Sequence, residues 1–136
     1  NLDYPGIPKI NLYTINKDTP IIIGDIYLQP IEVLHYKMPV LGFRINDFTY
    51  ITDANFISDD ELTKVLGSKY LVLNALRREP HISHFTLAEA IELSKKINAK
   101  STFFTHISHQ LGLHEDVEKE LPNGINLAYD TFSIVV

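Results

Sequence analysis

The chain has 136 residues, 45% of them hydrophobic and including seven Phe and seven Tyr, so its length fits one ordinary domain with a packed core. The net charge of −5 argues against a nucleic-acid-binding surface, which is usually basic. Cysteine is absent, which excludes disulfides, thiolate zinc sites and cysteine nucleophiles. A transition metal would therefore need histidine and carboxylate ligands.

No apolar run approaches the roughly 18 residues of a membrane span, and no signal peptide is recognisable. We therefore expect a cytoplasmic protein that makes no membrane contact.

The first half of the sequence predicts a series of β-strands. Turn residues at 16–20 and at Asn46-Asp47 separate runs of alternating or β-branched residues. The predicted strands cover residues 9–15, 21–28, 31–35, 40–45 and 48–53.

The second half predicts alternating helices and strands. Capping boxes at 58–61 and 86–89 mark two helix starts, and the first of these helices should end at Gly67. The second helix should bury one apolar face that includes Leu87 and Ile97. The apolar run 70–76 predicts a strand buried on both faces. A strand at 102–105, a short helix at 115–121 and a strand at 125–129 complete a mixed α/β layered domain over residues 1–136.

Polar side chains recur where these strands end: His35, Asp53, His81 or His84, and His106. The crevice beyond the carboxyl ends of strands is the usual ligand site of open α/β sheets. Histidine and aspartate suit zinc, manganese or iron, and an aspartate can bridge two cations that act on phosphorus.

Each residue also has an ordinary structural interpretation. A single histidine at a strand end is more often a loop residue, and Asp53 could cap a turn. Arg77-Arg78 is typical of a solvated pair, and the i, i+3 spacing of His106 and His109 is not diagnostic. Spacing alone leaves these alternatives open.

The order of the motifs is more specific than any one of them. They are His35 with Pro39 to Arg44, then Tyr50 to Asp53, Leu76 to Thr86, Thr105 to His109, and Ala128 to Asp130. This series resembles the C-terminal half of the metallo-β-lactamase superfamily. Within that superfamily it is most similar to the branch of the cyclic phosphodiesterase of the phosphonate carbon–phosphorus lyase pathway.

The resemblance implies a mixed β-sheet with helices on one face, which is the C-terminal half of an αββα sandwich. It implies that His35 binds a first metal, that Asp53 bridges two metals, and that His106 binds the second. The metals would be two divalent ions, zinc or manganese. His84 would be the catalytic histidine near the scissile phosphate, as a proton donor or anion anchor.

The resemblance leaves three further residues as possible substrate contacts: His81, His109 and Arg77. It also implies that Asn74 stands where relatives often carry aspartate.

The family's H-x-H-x-D-H motif is absent from this sequence, which begins at Asn1 without an initiator methionine. We therefore expect the N-terminal half of the domain to be missing. The remaining ligands would leave each metal with an incomplete shell, so this fragment should bind metal weakly and have little activity. An apolar sheet face should also be exposed, so we expect a homo-oligomer or association with the missing half.

The leading functional hypothesis is an intact metal-dependent hydrolase of cyclic or small phosphodiesters. One alternative is a tRNA 3′-end-processing endonuclease of the same superfamily, but no tRNA-binding arm is visible and the acidic balance disfavours nucleic acid. A second alternative is a non-catalytic interaction domain that retained the fold.

Overall fold

Eight strands form one mixed sheet in the computed structural model, which describes Pro8 and residues 10–135. The strands are β1 (Ile21–Ile23), β2 (Ile26–His35), β3 (Met38–Ile45), β4 (Phe48–Ile51), β5 (Phe56–Ile57), β6 (Tyr70–Asn74), β7 (Ser101–Thr105) and β8 (Ile125–Leu127). The helices are α1 (Asp59–Thr63), α2 (Leu87–Ile97) and α3 (His114–Glu120), with a 3₁₀ turn at His109–Leu111.

The sheet changes from antiparallel to parallel along its width. Its order is β1-β2-β3-β4-β6-β7-β8, with β5 beside β2. Strands β1 to β4 pair antiparallel, whereas β4, β6, β7 and β8 pair parallel. Because β2 and β4 both run antiparallel to β3, the carboxyl ends of β2, β4, β6 and β7 lie at one edge of the sheet.

One face of the sheet carries the core. Ile51, Leu73, Phe104 and Leu127 occupy one row across the four parallel strands, and all are buried. The parallel strands follow one another in sheet order, and right-handed connections then place the intervening helices on the same face. Buried residues of each helix pack into this core: Leu62 in α1, Ala90 and Ile97 in α2, and Val117 in α3.

The opposite face is apolar but less covered. Its row of register partners is Phe43, Tyr50, Val72 and Phe103, of which Tyr50 is exposed and the others are half-buried. The predicted α/β fold, with a mixed sheet and helices on one face, is therefore confirmed.

The helix starts agree with the sequence signals. The Thr86 side chain accepts a hydrogen bond from the Glu89 backbone N–H, and the Glu89 carboxylate accepts one from the Thr86 backbone N–H. The Ser58 hydroxyl caps α1 in the same way, but its partner Glu61 instead accepts from the Glu32 backbone N–H. Helix α1 ends at Thr63, earlier than predicted, and turns lead on to Gly67.

Three strand predictions were wrong. Residues 10–15 form no strand, because no neighbouring strand pairs with them, and Lys9 lies outside the described residues. Residues 21–28 are a hairpin, with Gly24 at φ 59° in the turn between β1 and β2. Strand β6 ends at Asn74 and is fully buried on one face only, since Tyr70 and Val72 are half-buried.

None of the helices in the described part of the chain has the length and hydropathy that crossing a bilayer requires.

Candidate metal centre

The carboxyl edge of the sheet brings four of the predicted residues together. His35 is the last residue of β2, Asp53 follows β4, and His106 follows β7. His84 lies in the segment between β6 and α2, here called the histidine loop (residues 77–85). Strands with a common direction thus deliver side chains that are up to 71 positions apart in sequence, from His35 to His106.

Asp53 lies at the middle of this group. Its Oδ1 atom is 3.1 Å from Nε2 of His84 and 3.3 Å from Nε2 of His106. The rings of His84 and His106 stack, with centroids 4.7 Å apart and an interplanar angle of 9°. One carboxylate oxygen therefore faces two parallel imidazoles.

His35 completes the group from the other side. Its ring meets that of His84 edge-on, with centroids 4.8 Å apart. One potential ligand atom from each of His35, Asp53 and His84 lies within 4.8 Å of the others. His84, predicted to act on the substrate, is thus as close to the centre as the predicted ligands are.

Both Asp53 and His106 have left-handed backbones, with φ of 53° and 57°. Non-glycine residues reach this region uncommonly, although aspartate and histidine do so more readily than most. Such conformations cluster at functional sites, where the surrounding structure maintains them. Here they turn both side chains back over the ends of their strands.

His84 is buried, and both its ring nitrogens have partners. Its Nε2 faces Asp53, and its Nδ1 lies 2.9 Å from the Ser83 hydroxyl. Burial lowers the pKa of His84 below its ordinary value, and the nearby imidazoles of His106, His35 and His81 lower it further; the hydrogen bond to Asp53 acts in the opposite direction. Nε2 of His84 thus lies against a carboxylate oxygen and Nδ1 against a hydroxyl group.

Ser83 also orients His81. Its backbone N–H donates to Nδ1 of His81 at 3.3 Å, and that nitrogen lies 3.0 Å from Nδ1 of His84. Ser83 was not among the predicted residues, because a serine between two histidines has no recognisable signature by itself.

Two predicted substrate contacts lie farther out. His109 is exposed and opens the 3₁₀ turn. Arg77 donates to the Pro80 carbonyl, the Glu79 carbonyl and the Gln110 side chain, so its guanidinium joins the histidine loop to the turn after β7. The structure therefore gives Arg77 a role in holding the loop, and its contact with substrate stays a prediction.

Asn74 holds the backbone next to Asp53 in place. It is fully buried, its amide oxygen accepts from the Ala54 N–H at 3.0 Å, and its amide nitrogen donates to the Ala54 carbonyl at 2.9 Å. Both backbone polar groups next to Asp53 are thereby satisfied. Asn74 is thus well fitted to its position in this chain.

Comparison with known proteins identifies the family of the chain. The sequence model of the beta-lactamase superfamily domain matches residues 1–107. The chain belongs to the metallo-β-lactamase superfamily. It lies close to the PhnP branch: it superposes on a diphosphatase of the PhnP family with a TM-score of 0.89 and 33% identity, over 93% of this chain and 49% of that one.

Two further matches were found, one by structure and one by sequence. The short form of human tRNase Z superposes with a TM-score of 0.64 at 17% identity, over 85% of this chain and 46% of that one, which shows the shared fold. A protein of Porphyromonas gingivalis (strain ATCC BAA-308 / W83) named octanoyltransferase is 30% identical over 98% of this chain. The chain spans about half of the diphosphatase and 27% of the octanoyltransferase. Most of the octanoyltransferase therefore lies outside the matched part.

The residues of the centre fit divalent metal ions chemically. One carboxylate and several imidazoles form a donor set that suits zinc or manganese. Asp53 has a second oxygen besides Oδ1 that could serve another cation. Among the described residues, one such group of donors is formed by His35, Asp53 and His84.

Proposed function

We propose that the intact protein is a metal-dependent hydrolase of small phosphodiesters, cyclic ones included. The observation that carries the proposal is the position of Asp53, whose Oδ1 lies within 3.3 Å of Nε2 of both His84 and His106. The 33% identity to a PhnP-family diphosphatase supports chemistry at phosphorus.

We assign His35, Asp53 and His106 as the residues that would hold two divalent metals, and Asp53 would contribute to both. When bound, such ions would supply Lewis acidity towards a phosphoryl group and a nucleophile from water at neutral pH. His84 lies beside the shared carboxylate, where it can anchor a phosphate oxygen or pass a proton to the leaving oxygen. Ser83 fixes the orientation of the His84 ring through Nδ1.

The function is tested with the intact protein, bis(4-nitrophenyl) phosphate and added zinc or manganese. We expect turnover that depends on metal and that falls at least about a hundredfold in His106→Ala, because a ligand of the reacting centre is lost. His114→Ala is the matched control, since His114 is exposed at the start of α3 and should leave turnover unchanged. Turnover that is no higher than in buffer with every divalent metal would overturn the proposal.

The sheet face opposite the helices is the surface for which we propose a partner. We propose that a second sheet, from the remaining half of the domain, covers the row formed by Phe43, Tyr50, Val72 and Phe103 in the intact protein. This row is incompletely covered within residues 10–135, and monomeric proteins rarely expose large apolar patches.

This proposal is tested by producing residues 1–136 alone and measuring their association by sedimentation velocity. We expect this polypeptide to self-associate. Tyr50→Lys should shift the polypeptide towards the monomer, because a charge then lies on the exposed face. A monodisperse monomer at micromolar concentration would contradict the proposal.

A further inference from the structure

A second feature adjoins the candidate metal centre: a groove of about 510 Å³ between the β2–β3 turn and the histidine loop. Its lining residues are His35, Tyr36, Lys37, Met38, Ile82 and Ser83. His35 and Ser83 also belong to the centre, so the groove opens directly beside it. Its volume lies within the range of about 300–1,000 Å³ that small-molecule sites occupy.

The walls of the groove are apolar and accessible. Tyr36, Met38 and Ile82 are 47%, 57% and 64% exposed. Single exposed apolar residues are ordinary, but three around one concave surface indicate a binding site. Lys37 adds a cation at the rim, with its Nζ atom 5.2 Å from the centroid of the Tyr36 ring.

Asn55 fixes the two walls relative to each other. Its side-chain oxygen accepts from the Tyr36 N–H at 2.8 Å, and its side-chain nitrogen donates to the Ile82 carbonyl at 3.3 Å. Its own N–H donates to the Leu34 carbonyl at 2.8 Å. Asn55 therefore connects the backbones of the two segments that form the groove.

The backbone of Tyr36 supports a functional origin for the groove. Its φ of 60° is a left-handed conformation, which is rare for a bulky residue and costs about 1–3 kcal/mol. The Asn55 hydrogen bond maintains this conformation, which places an aromatic ring rather than the usual glycine or asparagine at the turn.

We propose that this groove binds a flat aromatic substituent that stays on the phosphorus during hydrolysis, such as an aryl group or a nucleobase, while the phosphate lies at the centre. This inference rests on the proposed function and specifies its substrate class. The Tyr36 ring and Ile82 contact the aromatic face, and Lys37 faces the negative charge of the phosphodiester. Stacking of a base on an aromatic side chain is favourable and tolerant of the base identity.

The test compares two substrates that share a leaving group. The metal-loaded intact protein is assayed with bis(4-nitrophenyl) phosphate and with methyl 4-nitrophenyl phosphate, before and after Ile82→Ser. We expect KM for the bis-aryl substrate to rise about tenfold with kcat nearly unchanged, because apolar contact to the substituent is lost. KM for the methyl substrate should change less than about twofold. Leu66→Ser, at a position 45% exposed beyond α1, is the control and should change neither.

Equal changes for the two substrates, or none, would overturn the groove assignment while leaving the hydrolase proposal intact. If the unaltered protein turns over neither substrate, the hydrolase proposal fails and calorimetry decides about the groove. Phenylphosphonate should then bind more tightly than methylphosphonate, and Ile82→Ser should abolish the difference. Equal affinities in the unaltered protein would contradict the inference.

Discussion

Residues with left-handed backbones occur at both edges of the sheet where strands begin and end, but the residue types differ between the two edges. At the edge where β3 ends and where β2, β6, β7 and β8 begin, the residues with positive φ are Gly24, Asn46, Gly67, Asn98 and Gly124. At the carboxyl edge, where β2, β4 and β7 end, they include Tyr36, Asp53 and His106.

Glycine and asparagine adopt this conformation at little cost, so the turns at the first edge reverse the chain with little backbone strain. Aspartate and histidine adopt it about as readily as asparagine, whereas tyrosine rarely does, and all three side chains lie at the candidate centre or the groove beside it. The first edge thus carries turn residues without a site, and the second carries polar and aromatic residues that form one. The strained backbone of Tyr36 is independent support for a functional site at the second edge.

The largest expected effect follows from replacing Asp53 by glycine. Asp53→Gly keeps the left-handed backbone accessible but removes the carboxylate that faces His84 and His106. We expect phosphodiester turnover by the intact protein to fall at least about a hundredfold, with metal binding lost. The free energy of unfolding of the metal-free protein should fall by about 1–3 kcal/mol, as measured in urea, because the buried His84 ring loses the partner of its Nε2 atom.

Two further variants complete this test of the edges. Asp53→Ala should lose activity equally and destabilise the protein by about 1–2 kcal/mol more than Asp53→Gly does, because alanine resists the left-handed conformation. Asn98→Gly, at the C-cap of α2, should leave turnover unchanged and stability within about 0.5 kcal/mol. A large loss of turnover in Asn98→Gly would remove the distinction between the edges.

A smaller effect is expected at Asn74, beneath the carboxyl edge. Asn74→Asp removes the donor to the Ala54 carbonyl and buries a carboxyl group. We expect a loss of about 1–3 kcal/mol in the free energy of unfolding, because a buried acceptor loses its partner. Asn126→Asp, half-buried in β8, is the comparison and should cost less. If Asn74→Asp were as stable as the unaltered protein, the hydrogen bonds between Asn74 and Ala54 would not stabilise this edge of the sheet.

The local features of the fold could be predicted from sequence because local chemistry determines them. The Thr86–Glu89 capping box and the buried face of α2 depend on residues within one or two turns. The hairpin at Gly24 was predicted as one strand, because a continuous β-rich run conceals a two-residue turn. Residues 10–15 alternate like a strand, but only a partner strand would make them one.

The site divides in the same way. The convergence of His35, Asp53 and His106 follows from their positions at strand ends, and the histidine loop brings His84 to them. Their individual roles as metal ligands and proton donor stay predictions. Asn55 could not be identified, because its contacts exist only once the histidine loop packs against the turn after β2. Ser83 could not be identified, because its contacts to His81 and His84 depend on the shape of the loop.

The histidine loop is closed at its base by main-chain hydrogen bonds. The Leu76 N–H donates to the Phe85 carbonyl, and the Leu87 N–H donates to the Arg77 carbonyl. The loop therefore leaves and rejoins the scaffold at nearly one point, so changes in its length add little closure entropy and leave the sheet undisturbed. Insertions and deletions within the histidine loop therefore cost little folding stability, and they change the side chains beside the candidate centre, so this loop is where ligand preference can diversify.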